Sequence, residues 1–178
     1  MNYMNIKFCD IANGVGVRVS LFVSGCRRHC KGCFNSEAWD FNAGKKYDLS
    51  TQNIILHALS EDYIDGLSIL GGEPLEPENM SEIFKLCDRV KRRYPEKTIW
   101  LYTGFKIEKL MGDRKYDDLW RYVDVIVDGA FEANKKDPTL KFRGSSNQRI
   151  IKIKHSPFNF QGHEAHLEGV DTNEEIRI

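Results

Sequence analysis

The chain has 178 residues, the length of one domain, or one domain and a tail, at roughly 150 residues per domain. Its 26 Lys and Arg are balanced by 26 Asp and Glu, so no general cationic surface for nucleic acid is expected. No apolar run approaches the roughly 20 residues of a membrane span, and the start, M-N-Y-M-N-I-K-F-C-D, lacks the basic-then-apolar order of a secretory signal. A cytoplasmic protein that engages neither membrane nor nucleic acid is expected.

In chain order, residues 17–23 (V-R-V-S-L-F-V) are apolar and β-branched, read as a strand, and run directly into Ser24-Gly25 and a cysteine cluster. The preceding N-G-V-G-V-R has two glycines but no following Lys-Ser/Thr, so it orders the approach to that strand and is no P-loop. Ser50 is the expected N-cap of a helix in which Ile54, Ile55, Ala58 and Leu59 recur at helical spacing. Residues 67–70 (L-S-I-L) form a short buried strand ending in Gly71-Gly72-Glu73-Pro74. Pro77 then suits the first turn of a helix with Ile83, Leu86, Cys87, Val90 and Tyr94 on one face. Lys91, Arg92 and Arg93 at its end suit the negative pole of the helix.

A third strand is expected over 98–103 (T-I-W-L-Y-T), a short helix over 107–111, a fourth strand over 123–127 closed by Asp128-Gly129, and a further strand over 149–153. Strands alternating with helices predict an α/β fold with ligands at the carboxyl ends of parallel strands. A closed eight-unit barrel takes about 250 residues. The expectation is therefore an incomplete (partial) βα barrel of about five to six mostly parallel strands within residues 1–155, with 156–178 a flexible tail or an added edge element.

Cys26, Cys30 and Cys33 fall within eight residues, spacing suited to a metal and not to a disulfide scaffold. C-x3-C-x2-C lets three thiolates reach an iron-sulfur cluster, leaving one of four irons open. The same residues, with His29 or Cys9 as a fourth ligand, suit a structural zinc in a binding module without catalysis, and redox-active thiols are a third reading. Cys9 precedes a strand without a nearby partner, and Cys87 fits the apolar face of its helix as a small hydrophobe.

C-R-R-H-C-K-G-C after one strand and G-G-E-P after the next resemble the radical S-adenosylmethionine (SAM) enzymes. The segments C-D-I-A-N-G-V-G-V-R, L-F-V-S-G-C, C-F-N, W-L-Y-T-G-F, V-D-V-I-V-D-G-A-F and R-G-S-S-N-Q-R narrow the resemblance to the small activases of anaerobic ribonucleoside-triphosphate reductase. It implies that Cys26, Cys30 and Cys33 bind a 4Fe-4S cluster whose open iron takes the amino and carboxylate groups of SAM. It further implies a glycyl radical raised on the large reductase subunit and a one-electron donor such as a flavodoxin. An activase of another glycyl radical enzyme, or a radical enzyme acting on a small molecule, is the nearest alternative.

The resemblance also implies cofactor contacts at Gly32, Cys33, Phe34, Gly71, Gly72, Glu73 and Asp128. Gly71 and Gly72 let backbone approach the methionyl part, and Glu73 either brings a charge suited to its ammonium or meets the ligand through its backbone alone. Many members carry an aromatic residue directly before the third cysteine; Gly32 stands there in this sequence, and Phe34 is the aromatic residue expected to meet adenine in its place. Asp128 is expected to accept hydrogen bonds from the ligand, Thr103 to make a weaker contact, and residues 143–148 (R-G-S-S-N-Q) to line the site or dock the reductase.

Overall fold

The computed structural model describes residues 1–154 and 166–170. Its strands are β1 (Asn2–Asp10), β2 (Arg18–Val23), β3 (Lys45–Lys46), β4 (Gly66–Gly71), β5 (Thr98–Thr103), β6 (Val125–Asp128), β7 (Arg149–Lys154) and β8 (His166–Val170). Its helices are α1 (Leu49–Ala58), α2 (Pro77–Arg93), α3 (Ile107–Leu110) and α4 (Asp117–Tyr122). The strands form one open sheet in the order β3-β1-β2-β4-β5-β6-β7-β8. Among the described residues no helix is long and apolar enough to cross a membrane.

β2, β4, β5 and β6 pair in parallel, and each successive pair is joined through at least one helix. The flanking pairs β3-β1, β1-β2, β6-β7 and β7-β8 are antiparallel. The expectation of about five to six mostly parallel strands is thus corrected: among the described residues the sheet has eight strands, of which the central four are parallel. β1 escapes sequence reading because it is an edge-proximal strand whose side chains are mostly half-buried or exposed, so no apolar run marks it. The expectation for 156–178 lies outside the described residues except at β8, which forms one edge of the sheet.

The parallel strands bury side chains on both faces, the helices covering one of them. Val19, Leu21, Val23, Leu67, Ile69, Ile99, Leu101 and Ile126 point to one face, where they share a core with Ile55 and Leu59, with Ile83, Leu86 and Val90 of α2, and with Ile107 and Leu119. The alternate positions Trp100, Val125, Val127 and Ile150 make a second cluster on the other face, with Val15, Tyr102 and Phe142 packed against it. α2 presents the expected stripe, with Ile83, Leu86, Cys87 and Val90 buried. Its basic end is tied down by side chains: Lys91 pairs with Asp124 at 2.7 Å and Arg92 with Asp88 at 2.9 Å.

Two boundaries shift. Asp48, not Ser50, caps α1, accepting from the Thr51 amide at 2.9 Å, while the Ser50 hydroxyl donates to the same carboxylate. The buried stripe is accordingly Thr51, Gln52, Ile55 and Leu56, and Ile54 is exposed. The fourth strand spans Val125–Asp128; just before it, Asp124 donates its amide to the Ile99 carbonyl and accepts from the Ile153 amide, while its carboxylate accepts from the Ile99 amide at 2.7 Å.

At the amino ends of the parallel strands lies Arg18, fully buried. Its five donors all find acceptors: Ser68 Oγ at 2.7 Å, the carbonyls of Val15, Leu67 and Thr98, and Thr98 Oγ1 at 3.0 Å. Burial pushes its pKa down to about 10, which leaves it cationic at neutral pH. Gly14 of the N-G-V-G-V-R segment packs on its stem, where a Cβ would sit 2.8 Å from Cδ. Arg18→Met strands these acceptors, and a loss of at least about 3 kcal/mol is expected from denaturant unfolding. A loss below about 1 kcal/mol, the scale of one ordinary hydrogen bond, would show that Arg18 does not brace the sheet.

Candidate functional site

The loops following β2, β4, β5 and β6 line one cleft at the carboxyl edge of the sheet. About 700 Å³ of space lies within it, its open mouth included. Cys26, Cys30, Cys33 and Phe34 form one wall, Gly71, Gly72 and Glu73 the floor, and Tyr102, Thr103, Gly129, Phe131 and Gln148 the far side. Most residues singled out from sequence thus meet in one place.

The first cysteine is held rigidly. The Gly25 amide donates to the Ala38 carbonyl at 2.8 Å and the Cys26 amide to the Trp39 carbonyl at 3.0 Å. Beside it, Arg27 donates from its amide and its guanidinium to Glu76, at 2.9 and 2.7 Å, pairs with Glu78, and stacks on Phe41. The amides of Arg28 and His29 are directed at the Cys26 sulfur, while burial pushes its thiol pKa up. Amide donors on sulfur are features of iron-sulfur sites, where they stabilise thiolate charge. Among the described residues no three His, Cys, Asp or Glu side chains are grouped to hold a single metal ion. A cubane takes its thiolates on separate irons, so Cys26, Cys30 and Cys33 need not converge on one point to serve it. His29 stacks on Trp39 with centroids 4.5 Å apart, and Cys9 is exposed on β1 beside Tyr63. Neither lines the cleft.

The G-G-E-P turn is fastened to this loop by backbone. The Gly72 amide donates to the Val23 carbonyl at 2.7 Å and the Glu73 amide to the Gly25 carbonyl at 2.8 Å, extending the β2-β4 ladder past the strand ends. A Cβ on Gly72 would sit 2.5 Å from the Gly25 oxygen, and Gly71 has φ +114°. Glycine is therefore demanded here by the protein's own backbone before any ligand is considered.

Glu73 is bound within the protein by both carboxylate oxygens. Its carboxylate is buried and faces inward, accepting from the Leu75 amide at 3.0 Å, the Thr103 hydroxyl at 2.8 Å and the Gly104 amide at 2.7 Å, with Arg28 Nε at 3.7 Å. An ammonium group in the cleft would meet the Glu73 backbone, because the carboxylate is already engaged by the β5 end. Burial outweighs these donors and raises its pKa. Thr103 likewise serves Glu73.

Asp128 is also turned inward. It is fully buried, accepts from the Ile107 amide at 2.8 Å and is paired with Arg149, which also reaches Glu108 at 2.6 Å. Its neighbours Gly129 and Ala130 form the cleft wall. Residues 143–148 brace that wall: Gln148 Oε1 accepts from the Gly144 amide, Gln148 Nε2 donates to the Gly129 carbonyl, and Asn147 donates to the Ala130 carbonyl at 2.8 Å. Gly32 is exposed beside Ala133, and Phe34 is 80% exposed at the rim.

Sequence reasoning missed Arg28, Asn79 and Glu76. Asn79, buried, donates to the carbonyls of Ser24 and Glu73 and so joins both loops to α2. The one available signal was a polar residue in register with the apolar stripe of α2.

A carboxyl whose pKa is raised on folding is most stabilising below its unfolded pKa, and that contribution is lost as pH rises through the folded value. The stability of wild type relative to Glu73→Gln is therefore expected to fall as pH rises from 4 to 8 in urea unfolding. A difference that grows with pH would contradict the inward, desolvated carboxylate.

Residues 12–151 match the family model of the 4Fe-4S single cluster domain. Curated relatives carry one name, anaerobic ribonucleoside-triphosphate reductase-activating protein. That of Enterobacteria phage T4 is 47% identical over 151 residues, covering 84% of this chain and 93% of the relative. Those of Pasteurella multocida and Escherichia coli K12 are each 41% identical, covering 86% and 84% of this chain and 98% and 97% of the relatives. The three-cysteine cleft is thus set in a chain that belongs to the family of anaerobic ribonucleoside-triphosphate reductase-activating proteins.

Proposed function

We propose that the chain is an oxidoreductase of the radical SAM type that installs a glycyl radical on the large subunit of an anaerobic ribonucleoside-triphosphate reductase. The observation that carries this reading is the meeting of Cys26, Cys30 and Cys33 with Gly71, Gly72 and Glu73 in one open cleft. Cys26, Cys30 and Cys33 would hold a 4Fe-4S cluster with one iron left for SAM, and the bound pair would supply one-electron reductive cleavage of SAM and removal of a hydrogen atom from a glycine of the reductase.

The chain's own residues bind, orient and shield. The Gly71-Gly72-Glu73 backbone forms the floor against which the methionyl part lies, and the Glu73 carboxylate fixes that floor to β5. Phe34, exposed at the rim, folds over adenine, with Gly32 giving its turn room beside Ala133. Asp128 acts through Arg149 and α3, holding the wall from which Gly129 and Ala130 face the ligand. The parallel β2-β4-β5-β6 run, whose helices all feed one core, supports an incomplete barrel over residues 1–155, and its open side admits a segment of the protein substrate. A flavodoxin-type donor in an anaerobic cytoplasm suits this chemistry. The exposed or stacked positions of Cys9 and His29 favour the cluster over a zinc module.

Anaerobically reconstituted protein, given SAM, a reductant and the reductase, is expected to release 5′-deoxyadenosine and raise a glycyl signal in electron paramagnetic resonance. Cys30→Ala is expected to reduce both to background. Intact SAM after incubation with fully loaded, reduced protein would overturn the reading. Phe34→Ala is expected to weaken SAM binding roughly tenfold, the scale of one base-aromatic stack, and unchanged affinity would remove Phe34 from the site.

A further inference from the structure

Three side-chain polar atoms on the cleft wall are buried without a hydrogen-bonding partner: Arg28 Nε, Asn35 Nδ2 and the Tyr102 hydroxyl. Buried polar groups in folded proteins are overwhelmingly paired. The two nitrogens are donors only, and the phenol donates readily. These atoms lie beneath the cleft surface, and the terminal nitrogens of Arg28, which are not among them, are the donors a ligand can reach.

Arg28 is the charged member of this set, and its guanidinium is held by ring stacking and an ion pair with Glu73. Its guanidinium carbon lies 4.3 Å from the centre of the Phe105 ring, and its stem packs against Gly104. Nε stands 3.7 Å from Glu73 Oε2, within ion-pair reach but beyond a hydrogen bond. Among the described residues its guanidinium donates no hydrogen bond, whereas Arg18, Arg27 and Arg149 are all bound to oxygen acceptors. A stacked, oriented guanidinium with its planar fork open is the receptor that matches a carboxylate by two parallel hydrogen bonds.

We propose that Arg28 is the carboxylate receptor of this cleft. Resting on the function read above, the ligand is SAM and the group recognised is its methionyl carboxylate. The Glu73 carboxylate sets the fork from behind, and Phe105 fixes its plane. Arg28 is thereby a binding residue supplied from within the cysteine loop itself, between the first and second cluster ligands.

The test compares SAM with decarboxylated SAM, which lacks only this carboxylate, by anaerobic equilibrium dialysis against the cluster-loaded protein. Arg28→Gln is expected to weaken SAM roughly 10- to 100-fold, the scale of a charge-assisted hydrogen bond, and to leave decarboxylated SAM within about twofold of its affinity for wild type. Arg28→Lys, which keeps the charge and loses the fork, is expected to lose part of the SAM affinity with the same selectivity, and carries the test if Arg28→Gln takes up less iron and sulfide. Equal losses for both ligands, or SAM binding unchanged in either variant, would overturn the assignment while leaving the proposed function intact. Failure of loaded wild type to bind SAM at all would overturn both.

Discussion

The carboxylate of Glu73 is the constraint on which the carboxyl edge of the sheet depends. It sits where β4 has ended and β5 is ending, and it gathers the Leu75 amide, the Thr103 hydroxyl and the Gly104 amide around one buried charge. Removing such a group from water is costly, and it persists because each of its oxygens is met by donors fixed on rigid elements. In front of it, the Gly72 and Glu73 amides carry the β2-β4 ladder into the cysteine loop. Behind it, Asn79 of α2 binds the carbonyls on either side of the seam. The cleft exists because these three loops cannot move apart independently.

A second buried charge closes the opposite end. Arg18 joins β2, β4 and β5 through carbonyl and hydroxyl acceptors near their first residues. Between Arg18 and Glu73 the strands bury aliphatic side chains against the helices. This arrangement separates duties: the amino edge is sealed and structural, while the carboxyl edge holds the backbone, thiols and uncommitted donors that a cofactor requires. Cys26 is anchored by backbone and screened by Arg27 and α2, whereas Cys30 and Cys33 lie in the more open part of the loop. The site is thus firm at its first ligand and accessible at the rim where Phe34 stands.

Much of this was legible in sequence because the signals were local. The strand Thr98–Thr103 and the buried stripe of α2 follow from apolar periodicity, and the cysteine spacing with G-G-E-P marks the cleft. What was hidden depends on partners far along the chain. β1 carries no apolar run because its neighbours leave much of it exposed. Sequence marks Glu73 and Asp128 but not their partners within the protein, Gly104 and Thr103 in one case and Ile107 and Arg149 in the other. Arg28 is one of two adjacent arginines, and only the fold shows that Arg27 is bound by Glu76 and Glu78 while Arg28 faces the cleft.

The central claim is that Cys26, Cys30 and Cys33 hold three irons of a four-iron cluster and leave the fourth for SAM. Mössbauer spectroscopy of protein reconstituted with iron-57, recorded before and after SAM, addresses it directly. The account predicts four irons per bound cluster, with one iron site changing its isomer shift and quadrupole splitting when SAM is added and the other three unchanged. A spectrum in which no iron site responds to SAM, or a protein that takes up zinc and no iron or sulfide, would contradict it.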